Sequence, residues 1–600
     1  MLRHWTVHTN SKAPNWADQV PLLIGASYTP TLRNNLAIGG AQSGQDNATP
    51  ALQALFGAPT EFLPQVSRFA AESIAITPRD IAGIWIGTND IWTSALSTPS
   101  PAFLQPIGTR PDVATLSNYI AGNVRTGISS LVAGGIRNII LVSPYDLSRS
   151  SVYGVFGVAD ATTRTLASQY SIAFRNQLAT LYTPGVNTYF LDTLTLLNRV
   201  QANPSLYGFA HVTSTDGCSA SASCLAAPLA VQNTYVFNDI IHTTSGFDAL
   251  MSKYISNTIN AREALSAPGD LGNGAGLAFS NSLLDRLDAQ RRANFPSPLN
   301  AQTSMPVKAQ PMSVPLQPDG PFSVFVQATA AAVGRSGGST TNGPALSDLN
   351  ADYAGVTAGG EYRVTKNLAV GGAINFLNTA TDLPGLSHTH IELNAFQGGV
   401  FASLSYPHFF FDGALTYGLN KVDTRRPGVI DTLTGSPDSN TFTAAAKAGY
   451  LFDIGTFKAG PIAEFAYANV RVGSYAERGD DLLTLGVQGQ NVDGLTGGVG
   501  LQIRTAMPAF GGSFSPFVNL TAEHDFLGGV RSITSFSTDA PHLLINTSGG
   551  RLTSDIYGKV AGGINIDAGK GFSGLLTVSS TFGRSYGDDY AINGGLKYQF

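Results

Sequence analysis

Two hydrophobic rhythms divide the chain. From about residue 321 to the end, apolar and polar positions alternate with period two. Phe409, Phe411, Gly413, Leu415, Tyr417 and Leu419 interleave with Phe410, Asp412, Ala414, Thr416, Gly418 and Asn420. The same alternation sets Phe514, Val518, Leu520 and Ala522 against Ser515, Asn519, Thr521 and Glu523, and recurs along Phe572, Leu576, Val578 and Phe582. Successive side chains of a strand point to opposite faces, so this pattern predicts strands with one apolar face and one small or polar face. About twelve such segments, roughly ten to fifteen residues each, start near 322, 353, 367, 390, 408, 441, 456, 491, 513, 553, 571 and 590.

Before residue 265 the rhythm is different. Ile81–Ile86 and Asn138–Ser143 are short, β-branched and apolar, as strands buried on both faces are, and a further strand is expected at Asn187–Leu191. Between them Leu116, Ile120, Val124, Ile128 and Leu131 fall at helical spacing, closed by Gly134-Gly135, and a longer helix is predicted from Ala161 to Tyr182. Strands alternating with helices predict an α/β domain, a parallel sheet flanked by helices, with any active site at the carboxyl ends of its strands.

The two regions are joined by a different kind of segment. Ser266–Ala278 is glycine-rich, Phe279–Asn294 reads as a helix with little apolar surface beyond Leu283, Leu284 and Leu287, and Pro296–Pro321 reads as a linker. A helix of about 16 residues is about 24 Å long, close to the apolar thickness of a membrane. The expected organisation is therefore an α/β domain over 1–265, a helix and proline-rich linker over 266–320, and an all-β region over 321–600.

Composition sharpens this. Only 12% of the residues are charged, fewer than a soluble β-sandwich needs on its outside. Aromatic strand ends and small inward groups favour instead a transmembrane barrel of about twelve antiparallel strands, with the weakly apolar helix in its lumen. No apolar run reaches the roughly 18 residues of a membrane-crossing helix. The net charge of −5 gives no reason to expect a nucleic-acid partner. Met1–Val20 holds no apolar export segment, so the chain is either cytosolic or begins downstream of its signal. Cys218 and Cys224, the only cysteines, suit a local disulfide in an oxidising compartment or two free thiols, and no metal cluster accompanies them.

The candidate chemistry lies in three stretches. Tyr235-Val-Phe-Asn-Asp-Ile-Ile-His242 sets Asp239 three residues ahead of His242, where a carboxylate can fix the imidazole tautomer and leave the other nitrogen as base. Asn35-Leu-Ala-Ile-Gly-Gly-Ala-Gln-Ser-Gly44 holds a glycine pair whose N–H groups can approach a ligand. Ile86-Gly-Thr-Asn-Asp90 ends the Ile81 strand with an amide donor. Together they supply two oxyanion donors and a base with its orienting carboxylate, as acyl transfer requires.

In this order and spacing the three stretches resemble the SGNH (GDSL) serine esterases and lipases, with their N-x-A-x-G-G, G-x-N-D and D-x-x-H blocks. The resemblance covers most of residues 1–250. It implies that Gly40 (or Gly39) and Asn89 bind an oxyanion, His242 is general base and Asp239 orients it. It also implies a nucleophile in a Gly-Asp-Ser block, which occurs nowhere in the chain. Ser27 lacks the aspartate, and Ser336 in Gly334-Arg-Ser-Gly-Gly338 lacks a strand–turn–helix setting. Asn15-Trp-Ala-Asp-Gln resembles the residues just after the family's first block, so the chain is expected to start a short way downstream of the serine.

Around twelve strands ending in Phe600, preceded by a helix and a linked domain, resemble the bacterial autotransporter translocator. That resemblance implies an outer-membrane barrel contacting lipid, built by the barrel assembly machinery, with the N-terminal domain displayed outside the cell. The combined expectation is a monomeric surface esterase acting on ester or lipid substrates without a cofactor. The competing readings are a displayed binding domain without catalysis and a barrel whose chief role is translocation.

Overall fold

The computed structural model describes residues 13–27, 35–44, 61–72, 74–96, 110–155, 160–291, 320–337, 346–509, 512–549 and 553–600. In the N-terminal domain three parallel strands pair in the order β1 (Ile81–Trp85), β2 (Asn138–Val142), β3 (Asn187–Leu191). All of β2 and β3 is buried, and their polar first residues pair with each other, Asn187 Nδ2 donating to Asn138 Oδ1 at 2.9 Å. The crossovers are helices Val113–Ala133 and Ala161–Leu178, capped by the carboxylates of Asp112 and Asp160 on the N–H groups of Thr115 and Thr163. The second helix stops at Leu178 rather than Tyr182, ahead of the Thr183-Pro184 pair, which disfavours helix.

The period-two region forms twelve long antiparallel strands, beginning at Phe322, Leu349, Leu368, His390, Phe409, Asp438, Phe457, Gln490, Gly512, Tyr557, Phe572 and Asp589. The last of them, Asp589–Gln599, pairs with the first, Phe322–Arg335, and closes the barrel. Along each strand the parity of the sequence becomes inside and outside. Phe376, Val400, Leu419 and Leu520 stand exposed on the outer wall, while Asn375, Gln397, Asn420 and Asn519 are buried in the lumen. The strands turn tightly at one end (364–367, 406–408) and through long segments at the other (428–437, 473–489). The long connections after Val472 and after Leu527 raise a separate four-stranded sheet off the wall, in the order Tyr475–Ala476, Leu485–Val487, Arg531–Ser537, Leu544–Gly549.

The lumen helix departs from its expected start. It runs Ala267–Gln290, so the glycine-rich stretch ahead of Phe279 is helical as well. The reason is clearance. A Cβ on Gly274 would lie 2.5 Å from the Tyr353 hydroxyl, one on Gly276 2.4 Å from Thr441 Cγ2, and one on Gly272 2.9 Å from Val470 Cγ1. Glycine weakens a helix by about 1 kcal/mol per residue relative to alanine, but here it lets the helix backbone lie against the barrel wall. The Tyr353 hydroxyl uses that closeness to donate to the carbonyl of Leu271 at 3.0 Å. Lower down, the buried Asp288 accepts from Lys447 (2.8 Å), Arg291 (2.7 Å), Gln502 (2.9 Å) and Asn519 (2.9 Å). Residues 292–319, with the end of the predicted helix and the linker, lie outside the described residues.

Candidate active site

The turn carrying Asp239 and His242 is built by one carboxylate. Asp239 Oδ1 accepts the N–H of Ile241 at 2.9 Å and of His242 at 2.7 Å, and both its oxygens face His242 Nδ1 at 3.0 and 2.9 Å. Burial pushes the Asp239 carboxyl up, but the His242 ring and the two N–H donors outweigh it and hold its pKa below the ordinary value. His242 is 48% exposed, and its Nε2 has no partner among the described residues. Thr244 follows as the cap of helix Ser245–Asn260.

Neighbouring elements hold the turn in place. From the segment after β2, the Tyr145 hydroxyl donates to the Ile241 carbonyl and the Ser150 hydroxyl to the Ile240 carbonyl, each at 2.5 Å. On the other side, Cys218 and Cys224 form a disulfide, which decides between the two states open from sequence. The bridged segment lies along Phe237 and Asn238, whose carbonyls accept from Cys218 N (3.1 Å) and Ser219 N (2.7 Å). Gly217 sits so close that a Cβ there would lie 3.1 Å from Asp239 Cα.

The two proposed donors also come together. Gly87, with φ +102°, is the N-cap of helix Thr88–Ala95, and Asn89 lies in its first turn. Asn89 Nδ2 donates to the Ala41 carbonyl at 3.0 Å, beside Gly40, which has φ +83°. The contact is locked by Asp90, fully buried, which accepts from Ser43 N at 3.0 Å and Ser43 Oγ at 2.7 Å. Burial pushes the Asp90 carboxyl up to about 6, against the lowering effect of the Ser43 bonds. The Gly40 N–H has no partner among the described residues. Gly40 with Asn89, and Asp239 with His242, are thus two preassembled pairs. They reach the carboxyl edge of the sheet from adjoining strands, the first behind β1 and the second against the segment after β2.

Sequence reasoning did not find Tyr145, Ser150 or the Cys218–Cys224 buttress, since backbone carbonyls as partners leave no motif. It also missed a second imidazole–carboxylate pair, His211 Nδ1 with Asp216 Oδ2 at 2.5 Å, whose ring stacks on Tyr235 at 3.9 Å between centroids. Its five-residue spacing follows no catalytic pattern. Ser27 stands on a different element from the pair, and Ser336 lies just past the barrel strand Phe322–Arg335. Among the described residues no three His, Cys, Asp or Glu side chains group as a metal site.

Residues 328–579 match the family model of the autotransporter beta-domain. Three solved structures resemble the barrel half at 14% identity. They are the translocator domain of autotransporter NalP from Neisseria meningitidis (47% of this chain, 89% of that one, TM-score 0.37), the transport unit of AIDA-I from Escherichia coli (54% and 99%, TM-score 0.33) and the beta domain of the Bordetella autotransporter Brka (47% and 100%, TM-score 0.35). Comparison with curated proteins returns no match. With the closed barrel, the family match places the chain in the bacterial outer membrane, its N-terminal domain exported to the surface.

Proposed function

We propose that the N-terminal domain is a surface-displayed carboxylic ester hydrolase of the SGNH type, anchored by its own barrel. The observation that carries this reading is the Asp239–His242 geometry, with Nδ1 fixed by the carboxylate on a half-exposed ring whose Nε2 has no partner among the described residues. In the proposed reaction a serine hydroxyl attacks the ester carbonyl while His242 Nε2 takes its proton. Gly40 N–H and the Asn89 amide then stabilise the oxyanion, and the imidazolium protonates the leaving alcohol. Water, deprotonated by the same ring, releases the acid. The serine this reading requires, in a Gly-Asp-Ser block, is not among the 600 residues. No cofactor enters these steps, and the barrel assembly machinery and outer-membrane lipid are the remaining proposed partners.

The test is hydrolysis of short-chain nitrophenyl esters by cells displaying the domain with a Gly-Asp-Ser strand supplied ahead of residue 1. Activity that His242→Ala abolishes supports the reading. Its absence from correctly displayed protein refutes it and leaves a non-catalytic displayed domain. One observation favours that second reading: the Asn89 amide is turned onto the Ala41 carbonyl rather than into open space.

A further inference from the structure

The four-stranded sheet raised from the barrel contributes nothing to the closed wall, yet the apolar side chains of the loops beside it, and of Ile545 on it, are covered. Leu482, Leu483, Leu543, Ile545 and Ala540, with Leu433 beside them, are at most 3% exposed and belong to one continuous core with the N-terminal domain. Exposed to water on an isolated barrel, they would form an apolar patch of the kind that marks an interaction surface. The polar contacts around them are specific. Asp480 receives Arg199 Nη1 at 2.6 Å and the Tyr254 hydroxyl at 2.7 Å, while the same guanidinium reaches Asp481. Arg175 reaches Asp539 at 3.2 Å. The Leu544–Gly549 strand lies beside β3, an end strand of the domain's sheet, and the Asn546 N–H donates to Asn187 Oδ1 at 2.7 Å. An uncovered sheet edge invites pairing with other chains, and this one is covered from the barrel.

We infer that this raised sheet is a docking platform for the chain's own N-terminal domain, and that the exported domain depends on it to keep its folded, protease-resistant form. The recognition is apolar at the centre and acidic on the platform against arginine on the domain. The acidic loop Asp480–Asp481 gives register and the leucines give area. This use of the barrel is separate from any hydrolysis and stands whether or not the domain is an enzyme.

The experiment uses the full chain in the outer membrane of intact cells, treated with external protease. Arg199→Glu, and separately Asp480→Arg with Asp481→Arg, are each expected to speed cleavage of the N-terminal domain by about tenfold or more, because each leaves a charge in the contact facing its like. The unheated barrel should migrate as the parent does. Combining the two sets reverses the polarity of the pair and is expected to restore resistance to within about threefold of the parent. The inference is overturned if either separate variant resists protease as the parent does, or if the combined chain is as sensitive as the separate ones.

Discussion

At the Ile240–His242 turn, a single carboxylate organises both backbone and ring. Because Asp239 is held below its ordinary pKa, its contribution is present above the unfolded value of about 4 and is lost only as pH falls through the lower folded value. The amides of Ile241 and His242 should therefore keep their exchange protection through mildly acid pH and lose it below about pH 4, whereas in Asp239→Ala they should be unprotected at neutral pH. Hydrogen exchange on the full chain checks both. In active protein, Asn89→Ala should lower turnover about 10²–10³-fold with folding unchanged, the usual loss for one oxyanion donor. The pairing of Asp239 with His242 was legible because the two groups lie three residues apart. Tyr145 and Ser150 were not, because about ninety residues separate each from the carbonyl it holds.

Among the elements, the barrel strands were the most readable, since period two survives any tertiary context in which one face meets lipid and the other a polar lumen. Strand starts read near 322, 390, 408 and 571 fall at Phe322, His390, Phe409 and Phe572. The lumen helix was half-read, because its glycines look like loop until the wall beside them is known. Gly274→Val should thus be harmful although valine is the better helix former. Its side chain would displace Tyr353, costing about 1–3 kcal/mol of overpacking. A lower temperature for the shift from folded to unfolded gel mobility would show it. Asp288→Ala should be worse, by about 3–5 kcal/mol, because it removes the one carboxylate shared by the buried cations Lys447, Arg291 and Arg504. Protease entry at the lumen helix reads that loss.

For the whole molecule, the contact between domain and platform joins residues such as Arg199 and Asp480, which no local pattern relates. It carries its own pH dependence. Burial pushes the Asp539 carboxyl up to about 7, with Arg175 opposing and Asp192 and Asp481 adding to the rise. A raised acid contributes fully below its free value of about 4 and loses that contribution as pH climbs through about 7. Domain cleavage by external protease should therefore accelerate as pH rises from about 4 to about 7 and level off above that, and Asp539→Asn should flatten the profile. The path from His242 to the membrane has a mechanical side as well. Helix Ser245–Asn260 passes through Ala261–Ala264 and the αR residues Leu265 and Ser266 into Ala267–Gln290, so backbone in helical conformation runs unbroken from the displayed domain into the lumen. Under tension from flow or a bound surface, the platform contacts share the load in parallel with that backbone. Once they yield, the pull runs along the helix axis, and the bonds around Asp288 must shear together rather than peel one by one. The display is thus a tether with a soft outer clasp and a hard inner pin, and pulling on single molecules should record two rupture events, the smaller first.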